Sequence, residues 1–170
     1  MIIDLANVGT TAKKIDLMFD PSEIDLKGER VSLRGPVAFD GEIRRLDGKV
    51  HLRGLIGADA LLDCTRCLEA AERRLEIPFE GVFVESSQEA GHIEVEIGKD
   101  DLDESIVEDG GIDMAEVIRE QILLAVPEQV LCREDCKGLC PQCGANLNLI
   151  DCKCSDDDID PRWAALKNLK

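Results

Sequence analysis

Apolar and polar residues alternate through much of the first half of the chain, in short runs separated by turn-forming residues. Residues 15–19 (IDLMF) form a brief extended run stopped by Asp20-Pro21. Residues 30–39 (RVSLRGPVAF) carry the alternation of a half-buried strand, with Gly35-Pro36 marking an edge or a bulge. Asp40-Gly41 and Asp47-Gly48 read as hairpin turns. Two further strands are expected over 49–56 and 58–68, and a third over 74–84, interrupted by Pro78. After a polar loop over 86–91, residues 92–97 (HIEVEI) alternate again and predict a strand that exposes Glu94 and Glu96. A period of two in short segments predicts an antiparallel sheet.

The period changes over residues 113–126, where the spacing predicts a helix. Asp113 can cap it, with Glu116 three residues on as the capping-box partner. Val117, Ile118, Ile122, Leu124 and Ala125 supply an apolar face, and Pro127 stops it. Between the last strand and this helix, residues 100–111 (DDLDESIVEDGG) read as an acidic loop or a short helical turn. Near the end of the chain Asp160-Pro161 repeats the start signal, and Trp163, Leu166 and Leu169 predict a short amphipathic helix. The expected fold class is α+β. An antiparallel β-sheet core with a packed helix occupies residues 1–131, and a cysteine-rich zinc-binding segment with a short C-terminal helix occupies 132–170.

Composition and charge narrow this picture. Hydrophobic residues make up 44% of the 170, but aromatics only 3%, so Leu, Ile and Val must fill the core. The net charge of −16 is unevenly spread: residues 81–131 hold 2 Lys/Arg against 14 Asp/Glu. Such a belt repels phosphate backbones and attracts basic proteins, although a face kept charged for solubility explains it equally well. No apolar run is long enough to span a membrane. The start of the chain lacks a basic leader followed by an apolar segment, so a cytoplasmic protein with reduced thiols is expected.

The chemistry lies in the cysteines. Six of the eight fall together: Cys132, Cys136, Cys140, Cys143, Cys152 and Cys154. Cys140-Pro-Gln-Cys143-Gly144 has the spacing of a metal knuckle. Two intervening residues let both sulfurs converge on one ion about 2.3 Å away, and glycine after the second ligand permits positive φ. Cys136 and Cys152 are spaced to complete a tetrahedron, with Cys132 and Cys154 as alternates. Four sulfurs leave the ion no open position, so a structural zinc is expected rather than a catalytic one. Cys64-Thr-Arg-Cys67 is a second pair. It reads first as small buried side chains on the sheet, then as ligands to the same or a second metal, and last as a redox pair, which would want a helix N-terminus.

Catalytic constellations are thin. His51 and His92 read as strand decoration, and neither a nucleophile elbow nor a phosphate-cradling glycine loop is present. An enzyme is therefore not expected. Arg44, Arg45, Lys49, Arg53, Arg66, Arg73 and Arg74 could form a local RNA-facing patch, although scattered surface cations are the simpler reading.

In four places the chain resembles the bacterial YceD family, known as large ribosomal RNA subunit accumulation protein. These are Cys64-Thr-Arg-Cys67-Leu-Glu; the Leu-Leu-Ala-Val-Pro helix end before Val130-Leu131-Cys132; Cys136-Lys-Gly-Leu-Cys-Pro-Gln-Cys-Gly-Ala-Asn-Leu-Asn148; and Asp160-Pro-Arg-Trp-Ala-Ala-Leu-Lys-Asn-Leu169. The resemblance runs from about Gly35 onward. It implies a part in accumulating 23S ribosomal RNA and building the large subunit, with zinc bracing the C-terminal segment against the helix at Asp113. Some members of the family lack the cysteine run, so the shared activity need not pass through the metal. Charge and resemblance together favour basic ribosomal proteins or large-subunit assembly intermediates as partners, ahead of direct RNA contact. A thiol-redox or metal-delivery protein and a zinc-ribbon adaptor are the competing readings.

Overall fold

The computed structural model describes residues 1–85, 104–107, 110–154 and 162. The strand expected over 92–97, the loop over 86–91 and the helix around Trp163, Leu166 and Leu169 lie outside the described residues. So does most of the acidic stretch, which is described only at 104–107 and 110–111. The chain divides into two units: Met1–Leu62 with Ala71–Glu128, and Asp63–Ala70 with Gln129–Lys170. The division differs from the expected break at 131/132, because residues 63–70 join the cysteine-rich segment.

The first unit is built from β1 (Ile2–Asp4), β2 (Lys13–Phe19), β3 (Val31–Leu33), β4 (Val37–Leu46), β5 (Lys49–Asp63), β6 (Ala70–Glu85), β7 (Glu104–Val107), β8 (Gly111–Asp113) and α1 (Met114–Ala125). Among the described residues the main sheet runs β2-β4-β5-β6-β7, with β3 also paired to β5, while β1 and β8 form a separate pair. The ladders of β1 with β8, β2 with β4, and β5 with both β3 and β4 are antiparallel. β7 joins β6 in parallel. The protein is thus mixed α+β, with one α-helix and two short 3-10 helices, Leu5–Asn7 and Pro21–Glu23, among the described residues.

Local residue choice explains most of these elements. β4 and β5 are joined at Asp47-Gly48, which take φ of 52° and 83°, the positive values a tight hairpin needs. Asp40-Gly41 does not turn. Gly41 sits inside β4 opposite Gly54, where a Cβ would fall 2.3 Å from the Arg53 carbonyl oxygen. A Cβ at Gly54 would lie 2.7 Å from the Phe39 ring. These two glycines serve close approach beneath an aromatic ring rather than chain reversal. The two strands expected over 49–56 and 58–68 are one, because Gly57 continues the ladder opposite Ala38. Gly35-Pro36 is a true interruption, with β3 and β4 on either side both pairing to β5.

Phe39, Leu52, Ile56, Leu62, Ile112, Met114, Ile118 and Ile122 are almost wholly buried, each contributing roughly 1.5–3 kcal/mol of burial energy. In α1 the Asp113 side chain accepts from the Ala115 N–H at 3.0 Å. The Glu116 carboxylate turns to Arg119 at 3.2 Å rather than back to the cap. The buried stripe is Met114, Ile118 and Ile122, one turn apart. Leu124, expected on the apolar face, is 79% exposed, since six residues beyond Ile118 it lies about 240° round the helix.

Candidate metal centres

The chain leaves β5 at Asp63 and re-enters the sheet at Ala70, and the residues between make a tight loop closed on itself. The Cys64 N–H donates to the Glu69 carbonyl at 2.9 Å, and the Leu68 N–H donates to the Cys64 carbonyl at 2.9 Å. Downstream, the Cys140 N–H donates to the Ala145 carbonyl at 2.8 Å and the Gly144 N–H to the Cys140 carbonyl at 2.9 Å. The two loops share one hydrogen-bond pattern and one left-handed residue, Leu68 at φ 62° and Gly144 at φ 70°. Each places two sulfurs on the same side of a turn. Both are knuckles.

Eight cysteines converge in two groups of four. Cys64 and Cys67 meet Cys132 and Cys136; Cys140 and Cys143 meet Cys152 and Cys154. Within each group all four sulfurs lie within 4.8 Å of one another. Cys64 Sγ and Cys136 Sγ are 3.8 Å apart, and Cys67 Sγ and Cys132 Sγ are 3.5 Å apart. Sulfurs at the corners of a tetrahedron 2.3 Å from its centre stand about 3.8 Å apart. The spacing therefore fits a single ion per group and not a disulfide, whose sulfurs are about 2 Å apart. An all-thiol donor set suits a soft, thiophilic metal and not a hard cation such as magnesium or calcium.

The four ligands expected from the sequence are thus split between groups. Cys140, Cys143 and Cys152 come together, but Cys154 completes their set, and Cys136 joins the Cys64 knuckle with Cys132. Cys132 and Cys154 are not alternates for one corner of a single site; each has a corner of its own. The segment braced by the first tetrad is also not the one expected. Its ligands tie residues 132 and 136 to the turn after β5, not to the helix at Asp113.

Neighbouring groups adapt the loops to ionised sulfur. Burial raises the Cys64 thiol, but the N–H groups of Cys67, Arg66 and Cys132 outweigh it and bring it down to about 6. The N–H groups of Cys143 and Gln142 lead in lowering Cys140, also to about 6. The Asn148 amide, whose Nδ2 lies 3.4 Å from Cys136 Sγ, lowers that thiol. In each tetrad two thiols are instead held up, Cys67 and Cys132 in the first and Cys152 and Cys154 in the second. The Cys143 sulfur leads in pushing Cys154 up to about 12. The Glu69 N–H lowers Cys67, but burial and the sulfurs of Cys132, Cys64 and Cys136 outweigh it and push Cys67 up to about 12. Four thiolates repel one another without a cation between them, so an ion entering either site displaces protons.

Side chains outside the tetrads tie the parts of the second unit to one another. Arg66 Nη1 donates to the Cys136 carbonyl at 2.8 Å, and Thr65 Oγ1 donates to the Val130 carbonyl at 3.0 Å. Asn146 Nδ2 donates to Glu69 at 2.9 Å, and the Lys137 N–H donates to Asn148 Oδ1 at 2.8 Å. These partners orient the ligand loops, as outer residues around bound metals commonly do. Sequence reasoning passed over Thr65 and used Asn146 and Asn148 only as a motif. The one available signal was the repeated spacing Cys-x-x-Cys followed by a residue in need of positive φ, which leucine disguised.

Several of the basic residues expected to face RNA are engaged with the protein's own carboxylates and carbonyls. Arg45 donates to the carbonyls of Leu5, Val8 and Gly48, which makes it a strut between segments. Arg53 pairs with Glu42 at 2.7 Å and Arg74 with Asp59 at 3.1 Å. Lys49 pairs with Glu104, and Arg73 donates to the Glu72 carbonyl. Arg44 is exposed on β4, and Arg66 belongs to the second unit. No helix among the described residues is long and apolar enough to cross a membrane.

A six-stranded sheet with a single described α-helix, and two closed four-cysteine centres on matching knuckles, define an α+β protein able to hold two structural metal ions. The chain belongs to the YceD family, described as large ribosomal RNA subunit accumulation protein, whose match covers residues 52–170 and so includes all eight cysteines. An uncharacterized protein of Mycobacterium tuberculosis (strain H37Rv) is 28% identical over 172 residues, covering 98% of this chain and 79% of its own. The uncharacterized protein YlbN of Bacillus subtilis is 33% identical over 135 residues, covering 79% of this chain and 74% of its own. A Zea mays protein named large ribosomal RNA subunit accumulation protein YCED homolog 1, chloroplastic, is 27% identical and covers 92% of this chain and 60% of its own. No solved structure matches.

Proposed function

We propose that this chain is a non-enzymatic cytoplasmic factor that supports accumulation of 23S ribosomal RNA and assembly of the large subunit by binding basic ribosomal or assembly proteins. A structural zinc ion in each cysteine tetrad organises its second unit. The observation that carries the reading is the family match across residues 52–170. The family and the maize relative bear the description of large-subunit RNA accumulation.

The physics supports a binding role. With its four corners taken by sulfur, neither ion has a position for water or substrate, so each organises loops. A chain of net charge −16 lacks the clustered cations whose counterion release drives RNA affinity, and its arginines are largely engaged with its own carboxylates and carbonyls. A basic protein partner fits that charge better than bare RNA does.

The test is to tag the protein in its native host and fractionate a gentle lysate on a sucrose gradient, with and without RNase and high salt. Co-migration with large-subunit precursors that is lost in salt is expected. A protein that stays at the top of every gradient, and brings down neither ribosomal RNA nor ribosomal proteins, would overturn the reading. Two zinc ions per purified chain are expected by mass spectrometry under native conditions; any other metal, or fewer than two, would sink the zinc assignment.

A further inference from the structure

In the first unit, α1 and the β6–β7 pair enclose a groove of about 500 Å³ that neither tetrad uses. Its floor is apolar and partly bare. Gly81 stands between two rings, and a Cβ there would lie 2.8 Å from Phe79 and 3.0 Å from Phe83, so glycine leaves backbone exposed where any side chain would fill the space. Val117 lines the helix side half-buried, and Ile106 on β7 is 69% exposed. That is a large apolar side chain presented to water beside a cleft.

The rim is of one sign. Glu80, Asp113, Glu116 and Glu120 line the groove, and among the described residues lining it there is no Lys, Arg or His. Glu116 and Glu120 are four apart on the exposed face of α1, a like-charge spacing that weakens a helix by a few tenths of a kcal/mol. Arg119 offsets this at Glu116, at 3.2 Å, whereas Glu120 and Glu80 have no ion-pair partner among the described residues. The N-terminal end of α1 already carries its own acidic cap, so the unmet negative charge centres about two turns in, at Glu120.

An apolar floor excludes a purely electrostatic ligand, and an acidic rim excludes phosphate. We infer that this groove docks an extended segment of a protein partner in which Lys or Arg alternates with aliphatic residues. The aliphatic side chains rest on Phe79 and Ile106, above the buried Phe83, and a cationic one reaches Glu120. This rests on the proposed function for the nature of the partner and adds where that partner is held.

The experiment uses the full zinc-loaded chain, labelled with ¹⁵N and titrated with an alternating Lys/Leu heptapeptide, alongside Lys/Ser and Glu/Leu versions. The Lys/Leu peptide is expected to shift the amide signals of Gly81, Ile106, Val117 and Gln121. Glu120→Lys and Ile106→Asp, both surface substitutions, should each weaken binding at least tenfold, whereas Glu76→Lys, which adds the same charge on β6 outside the groove, should change it less than twofold. The inference fails if the Lys/Ser peptide binds as tightly, if the shifts map elsewhere, or if Glu120→Lys binds like the parent. Wild-type co-migration with large-subunit precursors is read separately. Its persistence would leave the proposed function standing without the groove, and its loss would remove that function whatever the peptide does.

Discussion

The two tetrads have the same chemistry and nearly the same knuckle, yet they stand in different relations to the chain. The first is buried at Cys64, Cys67 and Cys136, and its halves are far apart in sequence, Cys64 from Cys136 by 72 positions. The second draws all four sulfurs from residues 140–154, with Cys143 and Cys154 exposed. Closing the first from Cys67 to Cys132, 65 positions apart, opposes about 2 kcal/mol more loop entropy than closing the second. An ion in the first tetrad would therefore join distant segments into a unit, and one in the second would shape a local turn. Ligand type does not determine what a metal does for a fold; the separation and burial of its ligands do.

The sharpest way to break this comparison is to remove one ligand from each site. Cys136→Ser should lower the metal content from two ions per chain to one and cost about 4 kcal/mol or more in urea unfolding followed by a reporter in the second unit. Retention of both ions would refute the assignment of Cys136 to the first tetrad. Cys154→Ser should also lose one ion but cost only about 2 kcal/mol, since it frees a short loop with little core. Equal costs would mean that loop separation does not decide the matter.

Accessibility gives a kinetic contrast. With a chelator and an alkylating reagent present together, metal should leave in two phases, about tenfold or more apart in rate. Cys143 and Cys154 should be alkylated in the first phase and Cys64 and Cys67 in the second, as read by peptide mass spectrometry. A single phase, or the reverse order, would place the labile ion in the buried tetrad.

The smallest effect tests the knuckles themselves. Leu68 holds a left-handed conformation that costs an L-residue roughly 1–2 kcal/mol, and its side chain is 63% exposed. Leu68→Gly should stabilise by up to about 1 kcal/mol after the entropy of glycine is subtracted. Gly144→Leu should destabilise by a similar amount, with metal content unchanged in both variants. A destabilising Leu68→Gly would show that the leucine has a packing partner.

Much of the fold is legible in the sequence. Asp47-Gly48 announced its hairpin because only residues tolerant of positive φ fit there, and Asp113 announced its helix because a carboxylate can accept from the first free N–H groups. The Cys140 knuckle was visible because its spacing, proline and glycine are all local. Asp40-Gly41 misled because a glycine demanded by a cross-strand partner looks the same in sequence as one demanded by a turn. Leu124 misled because an apolar count does not say which stripe of a helix the sheet will cover.

By itself the sequence determined the α+β class, the helix start and stop, the family and the presence of thiol ligands, since each rests on the chemistry of neighbouring residues. Only the tertiary structure decided how eight cysteines divide into two fours. Cys64 and Cys67 could be paired with Cys132 and Cys136 only once the turn after β5 and residues 129–136 met in the second unit, held by the Thr65, Arg66 and Val130 hydrogen bonds. A tetrahedron needs four donors within a few ångströms, and proximity between residues 65 or more positions apart is a property of the fold rather than of spacing along the chain.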